Sequence, residues 1–231
     1  MNTHTMPLLH SSDRWKKTYP GAVVGLLAMS QVSNPEEHPA LKQRKEALQA
    51  ELRQGYAGFD RAGLRALPIL QAYHTYYKRF DKTYHVQLQL ESLVFKGKDI
   101  PNVSTLVECM FMAELSGLLL TAGHDWDHLH LPLRLDVADG TEHFIQYNGQ
   151  EQVLKSGDMY IADQEGVIST VIYGPDQRTR ILPETQRVVF ITYAPPGIGE
   201  TPVREHLREI AGYVNLVTPE ARVDEMEVKA G

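Results

Sequence analysis

The chain has 231 residues, of which 42% are hydrophobic and 23% charged, and its formal net charge is −6 at pH 7. This length and apolar content allow one large domain or two small ones with a hydrophobic core. The negative charge argues against broad, nonspecific RNA binding, because phosphates are bound through an excess of Lys and Arg. A net negative charge is still compatible with a local basic face.

The longest apolar run, residues 21–29 (GAVVGLLAM), is too short to span a bilayer and has no small-residue cleavage site after it. We therefore predict a buried strand there, and no membrane segment. The only cysteine, Cys109, lies in an apolar stretch at a position that should face inward on a helix. A single buried thiol without an internal disulfide fits a reducing, cytoplasmic setting.

The first half of the chain has helical periodicity. Asn34, followed by Pro-Glu-Glu, is typical of a helix start, and Gly55 is a natural stop. Leucines at helical spacing between them predict a surface helix with one buried stripe. Its Lys and Arg residues are expected to be solvated. Further helices are predicted over residues 69–80, 88–95 and 104–116.

After Leu118 the pattern becomes β-branched, aromatic and alternating. It predicts a loop at residues 121–130 that enters a strand, and a helix over residues 203–217, with the acidic tail from Pro219 loosely held. The predicted strands are residues 131–137, 144–147, 159–162, 167–173 and 188–193. A helical N-terminal part and a β-rich C-terminal part predict an α+β fold, with residues 1–231 as a single domain.

Five segments in order resemble the B3/4 domain, the editing and tRNA-binding module of the phenylalanyl-tRNA synthetase β subunit. The likeness extends to stand-alone B3/4 proteins and has its core in residues 76–194. The segments are YYKRFDKTYHV, LVFKGKDIPNVSTLVE, GLLLTAGHDWDHL, YNGQEQVLKSGDMYIAD and TRILPETQRVVFITYA. The resemblance implies helices packed on an unusual β-sandwich, with a cleft between the halves for an amino acid attached to tRNA.

The resemblance also implies site residues. Aligning GLLLTAGHDWDHL with the family's "G-Q-P-L-H-A-F-D-L-D-K-L" places Thr121 at the family's pocket histidine, with Asp125 at the first acid and His124 inserted nearby. Thr121 cannot act as a base near neutral pH, whereas His124 could replace the missing imidazole. A simpler interpretation is that the acids only bind loop amides.

A second segment, IADQEGVISTVIYGPD, is similar to the family's "I-A-D-D-S-G-P-I-A-L-A-G-V-M-G-G-E". It places Asp176 at the family's substrate-recognising acid and Pro175 where the family has its second glycine. Asp176 could equally be an ordinary turn residue after a strand. The family pattern further assigns substrate-binding positions to Asn102, Tyr173 and Gly174.

Three histidines and two aspartates within residues 121–130 also raise the possibility of a metal site. A helix would place His124 and His128 on one face, whereas an extended chain would place His128 and His130 on one face. No coherent ligand set follows, so we expect neither a metal nor a cofactor.

The resemblance favours a module that binds the aminoacylated 3′ end of tRNA, and no DNA, and hydrolyses wrongly attached amino acids in trans. Two alternatives stay open: a noncatalytic RNA- or small-molecule-binding module, and a metal hydrolase centred on His124, Asp125 and His128. The candidate RNA-binding residues are Lys78, Arg79, Lys82, Lys96 and Lys98.

Overall fold

The computed structural model describes residues 8–231, and in that range the chain forms seven α-helices and eleven strands. The helices are α1 Asp13–Thr18, α2 Pro39–Gly55, α3 Arg61–Arg65, α4 Pro68–Lys78, α5 His85–Lys96, α6 Thr105–Gly117 and α7 Glu200–Val217. The strands are β1 Leu9–Ser11, β2 Val23–Ser30, β3 Leu120–Asp125, β4 Leu133–Val137, β5 His143–Ile145, β6 Glu151–Val153, β7 Met159–Ala162, β8 Val167–Thr170, β9 Gly174–Pro175, β10 Arg187–Ala194 and β11 Arg222–Ala230. The predicted α+β fold is confirmed.

The strands form a five-stranded sheet in the order β1-β4-β7-β8-β9, a four-stranded sheet in the order β11-β2-β10-β3, and the hairpin β5-β6. Side chains of the two larger sheets meet: Ser169 of β8 lies within hydrogen-bond distance of both His124 of β3 and Tyr193 of β10. These contacts place one face of the four-stranded sheet against the five-stranded sheet.

Helices α6 and α7 cover the other face of the four-stranded sheet. Gly25 of β2 allows α7 to approach closely, because a Cβ there would lie 2.6 Å from Cγ1 of Val203. Strand β2 is buried along almost its whole length, as the apolar run predicted. Cys109 of α6 is also buried, as predicted. No helix within residues 8–231 has the length and apolar character needed to cross a membrane.

Three local predictions are wrong. Asn34 does not cap a helix; α2 begins at Pro39, and Asn34 instead donates to the carbonyl of Leu182 and accepts from the amide of Leu106. The segment expected to be a loop before a strand contains β3 itself, followed by a 3₁₀ turn at Trp126–His128. The ends of predicted helices and strands differ by a few residues elsewhere, as is usual for boundaries.

The third correction concerns the acidic tail, which is not loosely held. Residues of β11 pair antiparallel with β2 from Arg222 to Ala230, with one register shift between Val223 and Glu225. The amide of Gly231 also donates to the carbonyl of Ala22 at 2.8 Å. The tail is therefore an integral outer strand of the four-stranded sheet.

Candidate functional site

The alternation of side chains along β3 sends Thr121 and His124 to opposite faces of the sheet. Thr121 faces α6 and α7, since its Oγ1 lies 2.7 Å from Nε2 of His206. His124 faces the five-stranded sheet. The structure therefore does not bring these two predicted residues together, and His124 does not occupy the place of an imidazole missing at Thr121.

His124 and Asp176 are brought together through Thr179. Nδ1 of His124 lies 2.7 Å from Oγ1 of Thr179, which donates to Oδ1 of Asp176. On the other side of the ring, Nε2 lies 3.2 Å from Oγ of Ser169, itself 2.6 Å from the Tyr193 hydroxyl. We call these five side chains the His124 network.

The direction of these hydrogen bonds follows from the number of protons available. The Thr179 hydroxyl has one proton and gives it to Asp176, so Nδ1 of His124 must donate to Thr179. Nε2 is then the acceptor for the Ser169 hydroxyl. Burial, together with the positive charge of Arg178, lowers the pKa of His124 to about 3, so the ring is neutral at pH 7.

The carboxylate end of the His124 network is held by Arg178. Its guanidinium lies 3.8 Å from Oδ2 of Asp176 and binds both carboxylate oxygens of Asp163 at 2.9 Å. Burial raises the pKa of Asp176, although the Thr179 hydroxyl and amide oppose that shift. Burial also acts to raise the pKa of Asp163. Hydrogen bonds from the His130 amide and from the Arg178 guanidinium outweigh burial and lower that pKa below its usual value.

The His124 network is closed to solvent. His124 and Ser169 have 0% exposure and Asp176 has 4%. Every hydrogen-bonding atom of the imidazole is used within the chain. A substrate could reach the ring only if the two sheets separated or the 176–180 segment moved.

A second buried polar group lies on the opposite face of β3. Oε1 of Glu114 accepts from the amide of Thr121 at 2.8 Å, and the Thr121 hydroxyl lies 3.1 Å from that of Thr192. Burial raises the pKa of Glu114 to about 8 and lowers that of His206 to about 3. Both groups are therefore mainly neutral near pH 7.

Asp125 has a structural setting. Its carboxylate accepts from the Thr185 hydroxyl at 2.5 Å and from the amide of Asp127 at 2.8 Å. His128 lies 3.6 Å from it, but His124 points to the other face of β3. Across residues 8–231, no group of three or more His, Cys, Asp or Glu side chains is placed to hold a metal ion. The three residues of the metal-hydrolase alternative thus do not converge.

The three predicted substrate-binding residues do not line one cavity. Asn102 is exposed and accepts from Nζ of Lys45 at 2.8 Å. Gly174 has φ +77°, which fits the need for a glycine at this turn, and pairs with Thr170. Tyr173 is half-buried beside it, with Nζ of Lys82 5.6 Å from the ring centre.

All five predicted RNA-binding residues are exposed. Arg79 lies over the Tyr19 ring at 5.1 Å, and Lys155 donates to the carbonyl of Phe80 at 2.6 Å. Lys78, Arg79, Lys82 and Lys155 are exposed cations at the C-terminal end of α4. We call them the α4 basic surface. Lys96 is the last residue of the 12-residue helix α5 and Lys98 follows it, so both lie at the opposite end of a helix about 18 Å long from its start at His85.

A groove between α5 and α6 has a volume of about 300 Å³. We call it the α5–α6 groove. Its walls come from one face of α5, from the loop after α5 and from Phe111 and Leu115 of α6. Lys98 is the one predicted site residue that lines it.

Sequence reasoning missed Ser169, Thr179, Arg178 and Lys155. Ser169 and Thr179 are 45 and 55 residues from His124 in sequence, and no motif connects them. Arg178 did carry a usable signal, because it follows a predicted carboxylate by two residues near a strand end.

Residues 71–212 match the family model of the B3/4 domain. The match covers more than half of the chain, so the protein belongs to the B3/4 domain family, as its sequence segments indicated. A search of curated proteins found no match.

One similar solved structure is the N-terminal fragment of the phenylalanyl-tRNA synthetase β-subunit from Pyrococcus horikoshii. It is 12% identical with a TM-score of 0.49, and the alignment covers 96% of this chain and 54% of that one. The chain thus spans about half the length of that fragment.

Proposed function

We propose that this chain is a B3/4 module that binds tRNA through the α4 basic surface. Membership of the B3/4 family supports an RNA partner, because the sequence segments resemble a tRNA-binding module. The observation that carries the proposal is the arrangement of this surface: exposed cations lie over Tyr19 and Tyr173 on a body of net charge −6.

The physical basis is local concentration of positive charge on fixed side chains. Cations at the C-terminal end of a helix are favoured by its dipole, and rings beneath Arg79 and Lys82 restrict their rotamers. A cation that is already positioned loses less entropy when it binds a phosphate. Binding should therefore be oriented, weak and strongly dependent on salt.

The test is charge reversal in the double variant Lys78→Glu/Lys82→Glu. We expect at least a tenfold loss of tRNA affinity at low salt and a shallower salt dependence, on the order of two fewer released counterions. The matched control is Lys42→Glu/Arg65→Glu, which changes two exposed cations elsewhere and the net charge equally. Equal losses in both double variants, or none in either, would refute the α4 basic surface.

A second candidate function, hydrolysis of mischarged tRNA in trans, is favoured by the His124 network. It connects a serine hydroxyl, an imidazole and a carboxylate, and an aminoacyl ester needs only a positioned nucleophile and a few donors. The burial of these groups argues against it. We therefore place noncatalytic binding first.

A deacylation assay separates the two functions. Noncatalytic binding predicts that a panel of mischarged tRNAs loses its amino acids at the spontaneous rate, with or without the protein. Hydrolysis predicts a faster rate in the wild type that falls in both Asp176→Ala and His124→Ala, while tRNA affinity stays unchanged. Measuring affinity in the same samples shows whether a lack of turnover reflects a lack of binding.

A further inference from the structure

Asp158 is a buried carboxyl group that lies between the aromatic rings beneath Arg79 and Lys82. It comes immediately before β7 and has 0% exposure. Its Oδ1 accepts from the Tyr76 hydroxyl at 2.7 Å, and its Oδ2 accepts from the amide of Ile172 at 3.4 Å. Within residues 8–231 it forms no ion pair. Its charge, when present, is therefore not neutralised by a direct partner.

One side of Asp158 supports the ring beneath Lys82. Ile172, whose amide donates to the carboxyl group, is followed directly by Tyr173. The amide of Tyr173 donates in turn to Oγ1 of Thr170 at 2.9 Å. Nζ of Lys82 lies 5.6 Å from the centre of the Tyr173 ring. Asp158 therefore acts on Lys82 through a short, hydrogen-bonded stretch of backbone.

The other side of Asp158 supports Arg79 and Lys155. The Tyr19 hydroxyl donates to the carbonyl of Gly157, the residue before Asp158. Arg79 lies over the Tyr19 ring at 5.1 Å. The amide of Asp158 donates to the carbonyl of Lys155 at 3.0 Å, so both residues belong to one turn. Three of the four cations of the α4 basic surface are thus supported by groups next to this carboxyl.

Among the groups that face it, Asp158 is the one that changes charge near pH 7. Burial raises its pKa to about 7. His85, which lies against Tyr77, has its pKa lowered by burial, so it is neutral above the ordinary value of 6.5. Burial raises the pKa of every tyrosine in the field of Asp158, so these tyrosines stay protonated; they are Tyr19, Tyr76, Tyr77, Tyr173 and Tyr193.

We propose that Asp158 is a positioning residue that makes RNA binding by the α4 basic surface depend on pH. The inference rests on the proposed function of that surface. A neutral Asp158 supports the rings without adding charge beneath the cations. An ionised Asp158 places a negative charge there, which opposes the phosphates of RNA and is weakly screened because it is buried. Affinity therefore falls as the pH rises and the carboxyl ionises.

The variant Asp158→Asn tests the proposal, because a carboxamide keeps the shape and cannot ionise. The full chain is titrated with tRNA at constant ionic strength, at about pH 5.5 and about pH 8.5, on either side of the ordinary range of histidine. The readout is the affinity of Asp158→Asn divided by that of the wild type, since histidines elsewhere affect both proteins alike. We expect a ratio of about 1 in acid and about three to ten in base.

The matched control is Asp224→Asn, which removes the same formal charge at an exposed carboxyl on β11. Asp224 lies where β11 pairs with the Ser30 end of β2, whereas the other end of β2 follows Tyr19. Its affinity ratio to the wild type should be the same at both pH values.

A second measurement uses the wild type alone and stays informative if Asp158→Asn is unstable. Coupling between two sites is reciprocal, so bound tRNA must raise the pKa of Asp158 by the factor with which ionisation weakens binding. Carbon-13 NMR of the labelled aspartate carboxyl should show an upward shift of about half to one pH unit when tRNA is added.

The outcomes separate this inference from the proposed function. A wild-type protein that binds no tRNA at either pH refutes both. Binding with an Asp158→Asn ratio that does not change with pH, or with an Asp158 pKa unaffected by tRNA, overturns the inference and leaves the proposed function standing. An equal loss of affinity at both pH values in Asp158→Asn shows a purely structural role and overturns it as well.

Discussion

His124 lies at the centre of a buried hydrogen-bond network between the two larger sheets. Its ring connects β3 to Ser169 of β8 on one side and to Thr179 on the other. In a buried environment a fully satisfied polar network holds its members in one arrangement, whereas a partly satisfied one is costly. The His124 network therefore fixes how the two sheets sit on each other, irrespective of any catalytic use.

Replacing Thr179 tests this role directly. Thr179→Val keeps the shape but removes the hydroxyl, which leaves the His124 N–H without a partner and removes one of the two hydrogen bonds from Thr179 to Asp176. We expect a loss of about 1–3 kcal/mol in the free energy of unfolding, measured with urea. Thr179→Ser keeps the hydroxyl and should lose only about 1 kcal/mol for one methyl group. Equal losses in the two variants would contradict a hydrogen-bonded role.

Some of the candidate site residues could be identified from the sequence, but their contacts could not. His124 and Asp176 stood out because each lies in a segment that resembles a known family. Their connection through Thr179 could not be predicted, since it depends on the register of β3 and on the path of the 176–180 segment. Thr121 was assigned by the same alignment, and strand alternation alone separates it from His124.

Strand β11 was not predicted, because its many charged residues are typical of a solvated segment. The segment RVDEMEVKA contains five charged residues among nine, and that composition suggested a solvated tail. Its apolar residues are too few to indicate a strand by themselves. Pairing with β2, which is buried along almost its whole length, supplies the missing stabilisation. A pattern within residues 222–230 alone does not show this pairing.

Deleting residues 219–231 tests the importance of this strand. The deletion leaves β2, which is apolar on both faces, as an unpaired edge. We expect a clear drop in melting temperature and concentration-dependent association by size-exclusion chromatography. Val223→Ser, at a side chain that is 46% exposed, is the control and should change neither property. A truncated chain as stable and monodisperse as the parent would show that β11 is dispensable.

Helix α2 combines a correct and an incorrect prediction. Its leucine stripe is buried as expected. Lys45, expected to be solvated, is buried instead, because its Nζ lies 2.8 Å from Oε1 of Glu108 on α6. The partner is 63 residues away, so sequence spacing along the helix could not identify it.

For the whole molecule, the order of segments proved more informative than any single motif. Five family-like segments and the change from helical to β patterning after Leu118 predicted the α+β fold. Helices α6 and α7, which come from the two halves of the chain, pack on the same sheet. The geometry of the candidate site was not predictable to the same degree, because it depends on side-chain direction.

Stability as a function of pH reflects the balance between buried bases and buried acids. The folded-state pKa values of His124 and His206 are about 3, below the ordinary 6.5. The contribution of these two histidines to folding stability is therefore complete above pH 6.5 and is lost as the pH falls below that value. Burial raises the pKa of Glu114 to about 8 and of Asp158 to about 7. The contribution of these two carboxyl groups to folding stability is complete in acid and is lost as the pH rises through those values.

The opposing trends predict a plateau at mildly acidic pH and a decline in stability above pH 6.5, where only the acids still titrate. Glu114→Gln isolates one of them, because a carboxamide keeps the acceptor for the Thr121 amide but cannot ionise. Relative to the wild type, its unfolding free energy should increase steadily from about pH 4.5 to about pH 8 and then level off, since the ordinary pKa of 4.5 applies to the unfolded chain. Asp139→Asn, at an exposed carboxyl, should show no such increase over this range. Urea titrations at five pH values would measure the difference. A difference independent of pH would mean that Glu114 is ionised in the folded protein, and that β3 and α6 enclose a charge.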